Sequence, residues 1–431
     1  MKKLLILSFI LSFVLLANPC FASHLKDVNI ATQDSEALDA FGRFRVSQPF
    51  NVFDMQFNYD LQPLFFEESA TGGGDVTHVP ALSSARLTTG GTTDTHGVIF
   101  QTGEYFRYQP GKSQFVVWTC ILGSKTSNVR KRIGYFDSEN GFFFEQDGTN
   151  LKIIRRTKTS GSIVDNAVNQ SSWNLDVLDG SGKSGVTLDE TKDNIYVIDF
   201  QWLGAGRIRF GFDFGGQITY VHQIKFANTE AVPFSVAGNL PFRAEIFNTA
   251  TAAGTTTFDF TCVAITSEGG FNPLGIPGSV SNGVTERTVS TTPLPILSIK
   301  MADTFNSITN RSLIEPLSYE IYSLDENIFY QIILNGSLTN ASFNAVDATN
   351  SAVVFDVAAT AISGGFVIDS GFLTGARDKK EAGIDRRGLL AKLFMAQNIA
   401  GNSGDILSIV MTRMAAADAS CSAAFTWEEF R

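Results

Sequence analysis

The chain has 431 residues, 44% of them hydrophobic and only 18% charged, with a net charge of −10 and 37 phenylalanines against 4 tryptophans. That length leaves room for about two domains, since β-sandwiches reach ~200–250 residues each. An acidic chain of this kind lacks the basic footprint that displaces counterions from nucleic acid, so nucleic acid is excluded as a partner.

Residues 1–22 are expected to be a secretory leader. Lys2-Lys3 precedes the apolar run Leu4–Leu16, and Ala17-Asn18-Pro19-Cys20-Phe21-Ala22 supplies small residues before a cut after Ala22. The run is short for a membrane span, and no later stretch approaches that length, so no membrane contact is expected once the leader is removed. Residues 23–40 read as an exposed N-terminal arm. A dense aromatic block follows: Phe41, Phe44, Phe50, Phe53, Phe57, Tyr59, Phe65 and Phe66. Two readings stand for it, a strand and turn wrapped on a core, or a subunit interface built like a core cut in half. The Gly/Thr/Ser-rich stretch 69–97 reads as a long loop or an exposed hairpin.

Strands are expected at 98–108, 114–122, 131–137, 141–146 and 150–157. Asp137-Ser138-Glu139-Asn140-Gly141 and Asp147-Gly148-Thr149-Asn150 close hairpins between them. A loop at 158–194 leads to a meander, 195–203, 207–214 and 217–226, joined by Gly204-Ala205-Gly206 and Gly215-Gly216. Within it Ile208, Phe210, Phe212 and Phe214 alternate with Arg207, Arg209, Gly211 and Asp213, which predicts one apolar and one wet face. Strands at 241–247 and 256–266 complete a first domain over 41–270. The Pro/Gly/Ser/Thr composition of 271–293 reads as a linker. A second domain, 294–431, takes strands at 295–300, 317–323, 328–334, 352–357, 364–369, 405–413 and 421–427, with a helix over 387–399. The expected fold class is therefore all-β: two β-sandwich domains, the first jelly-roll or concanavalin-like, the second smaller.

No reactive constellation stands out. Gly180-Ser181-Gly182-Lys183-Ser184-Gly185 lacks the leading glycine of a phosphate loop, because Val177 occupies that position. Four histidines offer little for a triad or metal site, and His222 reads as a packed strand residue. Neighbouring carboxylates such as Glu67-Glu68 point to opposite faces of a strand, so they cannot pair across a cleft as glycoside hydrolysis requires. Cys120 and Cys262 lie in apolar strands; they read as buried thiols, or as a disulfide if the chain is exported. No catalytic residue, metal or cofactor is expected, and the chain reads as a non-enzyme.

Several segments resemble a family of virion structural proteins of tailed bacteriophages and related viruses, of the tail, fibre or capsid-associated type. The resemblance is carried by Asp39-Ala40-Phe41-Gly42-Arg43-Phe44-Arg45-Val46-Ser47, Tyr59-Asp60-Leu61-Gln62-Pro63-Leu64-Phe65-Phe66-Glu67 and Tyr108-Gln109-Pro110-Gly111-Lys112-Ser113. Arg132-Ile133-Gly134-Tyr135-Phe136-Asp137, Ser171-Ser172-Trp173-Asn174, Asp199-Phe200-Gln201-Trp202-Leu203-Gly204, Arg207-Ile208-Arg209-Phe210-Gly211 and Ala424-Phe425-Thr426-Trp427-Glu428-Glu429 continue it. It implies a non-enzymatic, homo-oligomeric virion component, partnered by itself and by other virion proteins, in a virion or outside the cell. The cleavable leader departs from that pattern. The alternative is a secreted or surface-displayed carbohydrate-binding β-sandwich, contacting host-surface glycans through Trp173 and Tyr108.

Overall fold

A computed structural model describes residues 37–46, 48–270, 272, 274–324, 326–375, 379–383, 394–414 and 417–431. Residues 1–22, expected as a leader, and residues 23–36 of the expected arm lie outside these. The chain is all-β, in two sandwiches, and every strand pairing among the described residues is antiparallel.

The first sandwich packs an eight-stranded on a seven-stranded sheet, a concanavalin-like build. Across the eight-stranded sheet the order is Ile218–Lys225, Arg207–Asp213, Asn194–Phe200, Gln114–Ile121, Thr257–Ser267, Ser84–Thr88, Asp75–Val79, with Phe50–Gln56 also on Thr257–Ser267. The seven-stranded sheet runs Val164–Asn169, Leu151–Thr157, Gly141–Gln146, Val129–Phe136, Phe242–Asn248, Gly97–Thr102, Phe66–Thr71. Alternate side chains from both sheets meet in one core: Ile208, Phe210 and Phe212 face Phe142, Phe144 and Phe242 across it. Trp118 stacks on Tyr196 at 5.6 Å and meets Phe144 edge-on at 6.0 Å. Each such buried ring contributes about 1.5–3 kcal/mol of transfer free energy, enough to hold the sandwich without staples.

The second sandwich is smaller. Its five-stranded sheet centres on Ala419–Phe430, flanked by Leu313–Ser323 and Ile276–Ser281, and its six-stranded sheet centres on Leu294–Met301 and Ile406–Arg413. Trp427, Tyr319, Ile299 and Ile409 fill the space between them.

Most expected strands are present, and the turn chemistry is as read: Asp137 Oδ1 accepts the amides of Glu139 and Asn140, and Asp147 Oδ1 those of Thr149 and Asn150. Several expectations are corrected. The stretch 271–293 is not a plain linker, because Ile276–Ser281 and Arg287–Val289 both pair with Ala419–Phe430. Its prolines misled the reading; Pro277 sits on an edge strand, where a missing N–H is tolerated. In 69–97, Asp75–Val79 and Ser84–Thr88 form the hairpin rather than the loop, and Ser84–Thr88 pairs onward with Thr257–Ser267. A strand, Val164–Asn169, interrupts the expected loop 158–194. Of the expected helix, 387–393 lies outside the described residues; 394–399 is not helical, and Met395 bridges to Ile314.

The arm reading also changes at its end. Leu38, Asp39 and Ala40 are buried, so this part of 23–40 is docked. It lies on the face of the meander expected to be wet, where Arg209 is fully buried and donates to the carbonyl of Leu38 at 2.6 Å. All three described cysteines are free thiols, which rules out the Cys120–Cys262 bridge. Cys120 points into the core, whereas Cys262 lies against the Thr119 hydroxyl on a neighbouring strand.

Candidate functional site: the cleft between the sandwiches

Three places gather polar side chains, and they differ in how their charges are met. The first is the outer face of the seven-stranded sheet. Alternation there turns Arg132, Phe136, Phe143, Glu145, Ile154, Arg156, Arg243 and Glu245 away from the main core. Gly141 (φ +135°) makes room, because a Cβ there would meet Phe136 Cβ at 2.2 Å. The Phe136 and Phe143 rings consequently lie 4.1 Å apart, with the Arg156 guanidinium over both at 5.8 and 5.1 Å. Arg132 is the hub, reaching Glu145 at 2.6 Å, Glu245 at 3.1 Å and Asp165 at 3.3 Å. Arg156 holds Asp165 at 2.8 Å, and Arg243 holds Glu245. Burial works against the charge on Glu245, but Arg243 and Arg132 overcome it and bring its pKa down to about 2. Each of these carboxylates is engaged by an arginine, which makes the face a structural ion network.

The second place is Asp199, completely buried on the eight-stranded sheet. Its carboxylate receives Arg209, Arg45 at 2.6 Å, the Tyr220 hydroxyl at 2.8 Å and the Ser113 hydroxyl at 2.8 Å. Arg45 belongs to the docked segment, and Arg207 donates to the Ala40 carbonyl at 2.7 Å. This node is a clasp for residues 37–46.

The third place is a cavity of about 80 Å³ where the two sandwiches meet. Phe53, Phe65 and Phe66 of the first sandwich and Leu334 and Phe394 of the second form its apolar walls. Its polar lining is Glu67, Glu104, Asn335, Gln397 and Asp405, with no lysine or arginine among the described residues. Glu67 reaches across the joint, and its Oε2 accepts the Ile399 amide at 2.8 Å. Asp405 accepts from the Ala396 amide at 2.8 Å and the Asn335 side chain at 2.7 Å. Arg311, which acts on Glu67, donates to the carbonyls of Asn398 and Ile399 and lies over the Tyr105 ring at 4.6 Å. Burial therefore raises all three carboxyls: Glu104 to about 8, with Glu67 and Asp405 also shifted up. At neutral pH Glu104 is largely a neutral acid, able to donate and accept hydrogen bonds.

The aromatic block splits. Phe53, Phe57 and Phe66 are buried, and Phe53 also meets Phe65 at 6.4 Å and Phe66 at 6.2 Å. Phe44, Phe50 and Tyr59 are exposed, Tyr59 by 90%, while Phe41 lies half-buried under the Arg43 guanidinium. The expected glycan contacts are corrected. Trp173 and Tyr108 are each only 5% exposed: Trp173 packs on Phe144 and Phe212, and Tyr108 stacks on Phe200. A Ser-Ser-Trp turn resembles a surface loop locally, but its ring is swallowed by strands distant in sequence. His222 is packed as expected: its Nδ1 accepts the Asn174 amide, and burial lowers its pKa to about 4. Of the cleft, sequence reasoning singled out only Phe53, Phe65, Phe66 and Glu67. Glu104, Asn335, Gln397 and Asp405 carry no local signal, since only the meeting of the two sandwiches brings them together.

No family model and no curated protein matches the chain. Among solved structures, a glycoside hydrolase family protein from Mycobacterium thermorestibile is similar over 50% of this chain and 99% of its own, at 12% identity and TM-score 0.34. The Crh5 transglycosylase in complex with NAG aligns over 53% of this chain and 89% of its own, at 12% identity and TM-score 0.34. The CBM2 module of the evolved Dit of Lactobacillus casei BL23 phage J-1 aligns over 52% and 99%, at 10% identity and TM-score 0.34. Likenesses this distant carry no conclusion about activity.

Proposed function

We propose that the chain is a non-catalytic carbohydrate-binding β-sandwich protein, secreted or surface-displayed, that takes one edge of a neutral sugar into the cleft between its sandwiches. The lining of that cleft carries the reading. Binding pockets favour domain interfaces and combine apolar and aromatic walls with a few directed polar groups. Here Phe65 and Phe394 offer ring faces, while Glu104, Asn335 and Gln397 offer donors and acceptors. Among the described residues of the lining, an anionic ligand would find no lysine or arginine. A cationic one would find carboxyls shifted toward neutrality. A hydroxyl-rich, uncharged ligand is matched on both counts. The volume sets the scale: about 80 Å³ is roughly half of a benzene-binding cavity of ~150 Å³, enough for part of a pyranose.

Hydrolysis is disfavoured by the same groups. It needs an ionised carboxylate free to face water or the sugar ring opposite an acid, and here Glu67 and Asp405 are tied to backbone amides. A glycan array on the full chain, repeated with Phe65→Ala, tests this reading. Saturable binding weakened about tenfold or more by the substitution supports it; binding to nothing, or binding indifferent to Phe65, rejects it.

One observation favours a second reading, a structural component of a virus particle. Phe44, Val46, Phe50, Tyr59 and Leu64 expose apolar surface within one short stretch. Such surface suits contact with further copies of this chain or with other virion proteins. Mass spectrometry of purified particles separates the readings: the chain inside particles supports the second, and its absence from them removes it.

A further inference from the structure

The same cleft is also the joint between the two sandwiches, and polar contacts cross it beside its apolar walls. Glu67 crosses to the Ile399 amide, Arg107 donates to the Arg431 carbonyl at 2.6 Å, and Arg311 covers the Tyr105 ring. Glu104, partly exposed, lines this cavity with Phe65, Phe66 and Phe394, and among the described residues its carboxyl has no hydrogen-bond or ion-pair partner. We propose that the joint is a proton-operated latch, closed while Glu104 is neutral and loosened once Glu104 carries charge. The inference takes the cleft as the binding site above, and adds a control on how far it opens.

The groups facing Glu104 define its response. From the first sandwich come Glu67, which lines the same cavity, and Tyr135, whose hydroxyl feels the Glu104 carboxyl; Glu68 looks away, toward Asp75. From the second sandwich Asp405 lines the same cavity, while Arg311 acts on Glu67 and is already committed to two carbonyls. An added negative charge thus shares the cavity with two further carboxyls and, among the described residues, with no lysine or arginine. Removing that charge from water is costly, and the lower-energy response is to admit water by parting the walls.

The sign follows from linkage. The pKa of Glu104 in the closed joint, about 8, lies above its ordinary value of 4.5. Closure is therefore favoured fully below about pH 4.5, and the advantage disappears as pH rises through about 8. Glu67 and Asp405, shifted in the same direction, act in the same sense.

Scanning calorimetry of the full chain without ligand tests the latch. At pH 5.5 the two sandwiches are expected to melt as one coupled transition, and at pH 9 as two. Glu104→Gln, which cannot ionise, is expected to keep a single transition at both. A wild type melting identically at both pH values overturns the latch, as does a Glu104→Gln variant that still splits at pH 9. If that variant does not fold, the wild-type series alone decides. Because no sugar is present, a failed latch leaves the carbohydrate reading standing, and a failed glycan array leaves the latch standing.

Discussion

The outer face of the seven-stranded sheet and the cleft between the sandwiches each gather three carboxyls. On the sheet, Glu145, Glu245 and Asp165 meet Arg132, Arg156 and Arg243, and the charge on Glu245 is stabilised down to about pH 2. In the cleft, Glu67, Glu104 and Asp405 meet backbone amides and apolar rings, and Glu104 holds its proton to about pH 8. Similar chemistry gives opposite behaviour, and the difference is the presence of arginine. Carboxylates with committed arginines make a permanent fastening. Carboxyls without them remain free to change protonation, and to meet a ligand.

That contrast is broken most forcefully at the hub. Arg132→Met should cost about 3–5 kcal/mol in chemical denaturation, because it strands buried carboxylates; a cost under about 1 kcal/mol would mean the network is ornamental. Trp173→Ala should cost about 3 kcal/mol through the cavity left beside Phe144 and Phe212. A variant that keeps its stability but loses glycan binding would instead restore Trp173 as a ligand contact. Acid should find the first region: Glu245 is lowered on folding, so its contribution is complete above about pH 4.5 and is lost as pH falls toward 2. That is worth about 3 kcal/mol in an acid titration, and Glu245→Gln should flatten it. Alkali should find the second, where Glu104→Gln raises stability at pH 9 relative to wild type and changes little at pH 5. The smallest effect belongs to Tyr59→Ser, expected to shift stability by under about 0.5 kcal/mol. If the second functional reading holds, the same change should lower oligomer mass in light scattering.

What the sequence made legible follows from the range of the interactions. Alternation in 207–214 and the Asp-led turns at 137 and 147 are local, and they report strands and hairpins faithfully. Composition is less reliable: the prolines of 271–293 concealed two edge strands, because an edge strand can spare an N–H. The wet face expected at Arg209 was wrong for a non-local reason. The chain's own residues 38–45 return across some 150 positions to meet it and Asp199. Trp173 and Tyr108 failed in the same way, since exposure depends on strands that no local window contains. The cleft was least visible of all. Its halves come from residues 53–104 and 334–405, and nothing near Glu104 or Asp405 announces the other.

The most direct test is titration calorimetry of the full chain against the neutral oligosaccharide selected on the array, with the ligand analysed afterwards by mass spectrometry. The account predicts saturable binding that weakens about tenfold in Phe65→Ala, and sugar recovered intact. Binding unaffected by that substitution, or recovery of cleaved or transferred sugar, would contradict it.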